Sequence, residues 1–176
     1  PDFFPLLAVD AVLTGASGLN IWSGGKVPTP QRRARLYRAL VNRGLASSVG
    51  GFLAPTADPF LYSISATVAD GQSLGAVEEV VLAECERLAR DGPTGDELAT
   101  VQAQLRARFV YDADSVTDVA HQLGYFATID RWQAWPEVFT RLAAVTADAV
   151  HAAARRYLAV DNRTIGVFDP VAAERF

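Results

Sequence analysis

The chain has 176 residues, 50% of them hydrophobic, with 16 basic against 20 acidic side chains and a net charge of −4. The apolar fraction excludes a disordered chain, and the acidic balance argues against a general nucleic-acid binder, which needs an excess of positive charge. No apolar run reaches the ~18 residues of a membrane span, and the length suits one domain that buries roughly 70% of its unfolded surface.

Apolar positions Phe4, Leu7, Ala8, Ala11 and Val12 recur at helical spacing, which predicts a helix over residues 4–14. A glycine-containing loop follows over 15–30, and Thr29-Pro30 reads as an N-cap with proline at the first helical position. The helix it opens is predicted over 31–43, ending at Gly44, with Arg32, Arg33, Arg35 and Arg38 around an apolar strip of Leu36, Ala39 and Leu40. Two strands come next, at 47–54 and 60–68, joined by Pro55-Thr56-Ala57-Asp58-Pro59. In the second, Phe60, Tyr62, Ile64, Ala66 and Val68 alternate with Ser63, Ser65 and Thr67, the period of a sheet with unequal faces.

Ser73 is expected to cap a helix to Arg90 with a core strip of Val77, Val81, Cys85 and Leu88, stopped by Gly92-Pro93. Thr94-Gly95-Asp96-Glu97 has capping-box spacing and opens a helix bearing Leu98, Val101, Leu105 and Phe109. A further helical segment shows Val116, Val119, Ala120, Leu123 and Ala127. Residues 132–136 read as a loop, Thr146 as the cap of a helix to Tyr157, and 163–168 as a closing strand. The order predicts an α+β fold with a mostly antiparallel sheet covered by helices.

Chemistry is sparse. The histidines His121 and His151 lie thirty positions apart without a paired ligand spacing, whereas catalytic zinc takes about three protein ligands; both read as surface or capping residues. Gly25-Lys26-Val27 lacks the spacing and the hydroxyl of a phosphate loop. Ser17 misses the nucleophile-elbow pattern. Cys85, the only cysteine, falls on an apolar helix face and excludes an internal disulfide, leaving cytoplasm and periplasm both open. Glu78, Glu79, Glu84 and Glu86 read as a solvated face. The arginines from 32 to 43 are the densest charge, able to grip a peptide carboxylate or carbonyl. The chain has no methionine and opens Pro-Asp-Phe, which leads us to expect a piece of a longer protein, its first part upstream.

An ordered series of segments resembles the M16 family of insulinase, pitrilysin and mitochondrial processing peptidase. It comprises Arg-Leu-Tyr-Arg-Ala-Leu-Val at 35–41, Gly-Leu-Ala-Ser-Ser-Val at 44–49, Asp-Pro-Phe-Leu-Tyr at 58–62, and Gly-Pro-Thr-Gly-Asp-Glu-Leu at 92–98. Val-Thr-Ala-Asp-Ala-Val at 145–150, Ala-Arg-Arg-Tyr-Leu at 154–158 and Asn-Arg-Thr-Ile-Gly-Val at 162–167 complete it. The resemblance implies a LuxS/processing-peptidase-like metallohydrolase fold, with residues 1–176 forming the single non-zinc, C-terminal-half domain of a clamshell. That half would close over peptides cut by a zinc-bearing His-x-x-Glu-His domain of the same parent chain or a sister subunit; this chain would hold no zinc and be inactive alone. A homodimer is a further arrangement to test. In active relatives this half lends an arginine and a tyrosine, and those positions align here with Leu40 and Ser47, which cannot play those parts. Arg38, Arg43 and Ser47 remain as candidate substrate-binding residues, with no catalytic residue expected. The same departure suits a rival, a degenerate domain serving as a structural or assembly partner, as in respiratory-complex core subunits. A third alternative is a small-molecule site in the loop from Gly15 to Lys26.

Overall fold

The computed structural model describes residues 2–19 and 31–169. The Thr29-Pro30 cap and most of the Gly15-to-Lys26 loop lie outside the described residues. Helix α1, Phe3–Leu13, is the centre of the fold, packed against helices α3 (Gly95–Tyr111) and α6 (Ala147–Tyr157) and strand β1 (Ala46–Leu53). The five-residue face expected of it understates its burial, because every residue from Leu7 to Leu13 is buried, Asp10 included, while Phe4 is only half-buried. A helix apolar all round has no solvent side to offer and belongs inside.

Strands β1, Ala46–Leu53, and β2, Tyr62–Val68, pair antiparallel. The register places Val49 opposite Ala66, Gly51 opposite Ile64 and Leu53 opposite Tyr62, with an irregularity between Ala46 and Ser48. In β2 the half-buried residues are Tyr62, Ile64, Ala66 and Val68 and the exposed ones Ser63, Ser65 and Thr67, as the alternation predicts. Phe60 and Leu61 lie before the strand and are exposed.

Helix α2, Leu74–Asp91, packs on α6, Ala147–Tyr157, and buries Val77, Cys85 and Leu88. Ser73 occupies its N-cap position, yet its side chain makes no capping bond. Helix α3, Gly95–Tyr111, opens with the full capping box: the Glu97 N–H donates to Thr94 Oγ1 at 3.1 Å, and the Thr94 N–H donates to Glu97 Oε2 at 2.9 Å. Thr146 caps α6 by accepting from the Ala149 N–H at 3.2 Å.

Four expectations are corrected. The helix predicted over 31–43 is instead a short turn running into a π-helix, Tyr37–Val41; the Asn42 N–H reaches Tyr37 O at 3.1 Å and the Leu45 N–H reaches Leu40 O at 2.9 Å, both five residues back. Residues 132–136 are not simply a loop, because helix α5, Ala134–Ala143, begins there. Pro136 sits in its first turn, where a missing N–H costs no helical bond. Helix α4, Val116–Ile129, turns Gln122 and Phe126 inward and leaves Val116 at 87% exposure, so the apolar stripe read from its sequence is out of phase with its burial. Residues 163–168 join no strand pair among the described residues, and Ile165, Val167 and Phe168 are exposed. Strand-like composition states what a segment tolerates; a ladder also needs a partner edge.

Candidate functional site

The π-helix, the turn after it and the following strand carry Arg38, Arg43 and Ser47, the three candidate binding residues. Five-residue bonding widens the turn and alters the phase of the side chains, and such bulges gather at functional sites. Arg38 lies within the π-helix and Arg43 in the turn after it. Both are exposed, whereas Leu40 between them is fully buried. Gly44 then adopts φ +70°, a left-handed turn that L side chains resist, and starts the chain toward β1. Ser47 stands at the strand irregularity, exposed, its hydroxyl donating to Thr67 O at 3.2 Å. Leu40 is a core residue and the Ser47 hydroxyl is spent on the neighbouring strand, so neither aims a hydrogen-bond donor outward.

Arg38 also lines an open cleft of about 420 Å³. One wall carries Arg32, Arg33, Arg38 and Asn42; the opposite wall, from the first turns of α3, carries Asp96, Glu97, Thr100 and Gln104; Ala11 and Val12 form part of the floor. Glu97 is already committed. Its carboxylate takes Arg35 Nε at 2.8 Å and Arg35 Nη2 at 2.7 Å while serving the capping box, and Arg35 Nη2 also donates to Gly92 O at 3.1 Å. Chiefly through these Arg35 bonds, the Glu97 carboxyl is held down to about 2, against an ordinary value of 4.5. Arg35, 7% exposed, therefore clasps the turn before the π-helix to the end of α2 and the start of α3. Nothing in the sequence separates this arginine from its neighbours, because its partner lies 62 positions away.

A second polar cluster is buried between α1 and the hairpin. Thr14 Oγ1 donates to Asp10 Oδ1 at 2.6 Å, and the Tyr62 hydroxyl stands beside the same carboxylate. Burial pushes the Asp10 carboxyl up to about 6 from 3.8, against the lowering effect of the Thr14 bond. Gly51 makes this possible, since a Cβ there would overlap Asp10 Oδ1 and Thr14 Oγ1. Asp10 is fully buried and reaches no solvent, so its part is structural. Sequence reasoning passed over it because one aspartate in an apolar helix carries no pattern. The Cys85 thiol, raised by burial to about 11, stays protonated, as its core position implies.

Among the described residues the donor set does not fit a catalytic zinc ion. His121 is exposed on α4, and on α6 the His151 Nε2 lies 3.0 Å from Ala89 O with its ring against Gly92. No group of three metal-ligating side chains assembles among the described residues.

These features define an α+β domain with a charged cleft and, among its described residues, no metal-binding cluster. The chain belongs to the peptidase M16 family as an inactive domain, the model of which matches residues 1–105. It is similar to a candidate zinc protease from Bordetella pertussis Tohama I, at 24% identity and a TM-score of 0.77, covering 97% of this chain and 87% of that one. It is likewise similar to the inactive peptidase domain of a candidate zinc protease from Bordetella parapertussis, at 25% identity and a TM-score of 0.77, over 98% and 86% of the two chains. The peptidase M16 inactive domain from Pseudomonas fluorescens matches at 22% identity and a TM-score of 0.69, over 92% of this chain and 35% of that one. No curated protein matches the sequence.

Proposed function

We propose that the chain is the non-zinc half of an M16 clamshell, closing a chamber and holding peptides for hydrolysis by a His-x-x-Glu-His domain on the same parent chain or a sister subunit. Zinc would be held by that other domain. Arg38, Arg43 and Ser47 are the proposed peptide contacts, the arginines donating hydrogen bonds and Ser47, its hydroxyl proton committed to Thr67 O, contributing position alone, with none of them in the bond-breaking step. The match to the inactive-domain model supports this reading, and the burial of Leu40 with the inward-bonded Ser47 carries the assignment of holding over chemistry. The test mixes the chain with a zinc-bearing M16 domain and follows cleavage of an unfolded peptide. Faster cleavage together with physical association supports the proposal; association without any gain leaves the structural-partner reading, and the absence of both gain and association overturns the two readings together. That second reading draws on the same Leu40 and Ser47, and on the exposed apolar residues Val110, Tyr111 and Val116 at the α3–α4 junction.

A further inference from the structure

The cleft between the Arg32–Arg38 wall and α3 has a charge balance that nothing in the fold requires. Arg32, Arg33 and Arg38 make no ion pair among the described residues; Arg43, Arg106 and Arg155 make none either, but it is the first three that line one cleft together. Three like charges side by side repel one another, and a bound anion relieves that repulsion. On the α3 side Glu97 is neutralised by Arg35, which leaves Asp96, without an ion pair among the described residues, as the other carboxylate lining the cleft.

The geometry points to this cleft as a binding site for a short peptide segment that presents a carboxylate. Guanidinium groups pair with carboxylates through two parallel N–H···O bonds. A peptide backbone supplies what the other wall lacks: N–H donors for Asp96, and carbonyl acceptors for the amides of Asn42 and Gln104. Inorganic phosphate offers Asp96 at most a hydroxyl or two, lacks the backbone N–H and carbonyl groups for the rest of the wall, and as a dianion is repelled by Asp96 more than a single carboxylate is. At about 420 Å³ the cleft falls in the size range of small-ligand sites, ~300–1,000 Å³, so it takes a few residues of an extended chain rather than a folded partner. The choice of a peptide rests on the peptide-holding function proposed above, whereas the preference for a carboxylate rests on the arginines alone. The carboxylate has two sources, an acidic side chain and a peptide C-terminus.

The test is fluorescence anisotropy with a labelled hexapeptide, Ala-Glu-Gly-Glu-Ala-Leu, in four forms: as written, with both Glu changed to Gln, with an amidated C-terminus, and with both changes. The acidic peptide is expected to bind at least about tenfold more tightly than the fully neutralised form, the advantage shrinking as salt rises. The Arg33→Gln/Arg38→Gln double variant should abolish the advantage without moving thermal unfolding, since both positions are exposed. Asn42→Asp, which sets a competing carboxylate on the arginine wall, should do the same. Loss of the advantage on amidation assigns the site to a C-terminus, and loss on Glu→Gln assigns it to side chains. Equal affinity for the acidic and neutral forms, an advantage that survives both variants, or displacement by inorganic phosphate as effective as by unlabelled peptide overturns the proposal. If cleavage with the zinc-bearing domain fails while the acid preference holds, the chamber-closing function falls and the carboxylate site stands.

Discussion

Replacing Arg35 by methionine keeps most of the side-chain volume and removes the clasp. Two charge-assisted bonds to Glu97 and one to Gly92 O disappear together. Breaking one partner of a buried pair costs ~3–5 kcal/mol, but the Glu97 side chain is 31% exposed and keeps its capping role, which brings the expected loss to about 2–3 kcal/mol. For a chain of this size that is a fall in Tm of roughly 5–10 °C. The pH dependence has a definite sign. The Glu97 carboxyl sits at about 2 when folded against an ordinary 4.5, so its contribution is complete above 4.5 and disappears as pH falls toward 2. Urea unfolding at pH 7, 5, 4 and 3 should show the gap between wild type and Arg35→Met narrowing below pH 5. A double-mutant cycle with Glu97→Gln should give a coupling above about 1 kcal/mol. A Tm within 1 °C of wild type, or a gap unchanged from pH 7 to pH 3, would refute the clasp.

Asp10 should behave in the opposite sense. Its folded value of about 6 lies above the ordinary 3.8, so stability is greatest below 3.8, falls as pH rises to about 6, and is flat beyond. Asp10→Asn is expected to raise the unfolding free energy measured by urea denaturation at pH 7.5 by about 1–2 kcal/mol once imperfect amide hydrogen bonding is deducted, and to give no gain near pH 4. Gly51→Ala should cost about 2–3 kcal/mol through its clash with Asp10 and Thr14, whereas Gly44→Ala, with open space around it but φ +70°, should cost about 1 kcal/mol; chemical denaturation ranks the two. Leu40→Arg should destabilise by at least about 3 kcal/mol because it places a charge in the core. Ser47→Tyr, at an exposed position, should stay within about 0.5 kcal/mol by thermal unfolding.

Local rules made much of this fold legible. The alternation from Phe60 to Val68, the Thr94–Glu97 box, the Thr146 cap and the strip of Val77, Val81, Cys85 and Leu88 all depend on neighbours within a few residues, and they appear in the fold except that Phe60 stays outside its strand and Val81 is only half-buried. The ordered motifs likewise pointed to the M16 family and to an α+β domain. Three-dimensional packing decided the rest. Whether α4 turns Val116 or Phe126 inward depends on which neighbouring element it meets, and periodicity supplies a stripe without saying what covers it. The segment at 163–168 has strand composition but no pairing edge among the described residues.

The site divides along the same line. A run of arginines is visible in one dimension, but their separate fates are not: Arg35 is buried against a carboxylate 62 residues away, while Arg32, Arg33 and Arg38 line an open cleft. Helix periods, caps and family motifs are short-range properties and are written in the order of the residues. Burial, ion pairing and a carboxyl raised to about 6 arise from elements brought together across the chain, where distance in space replaces distance in sequence.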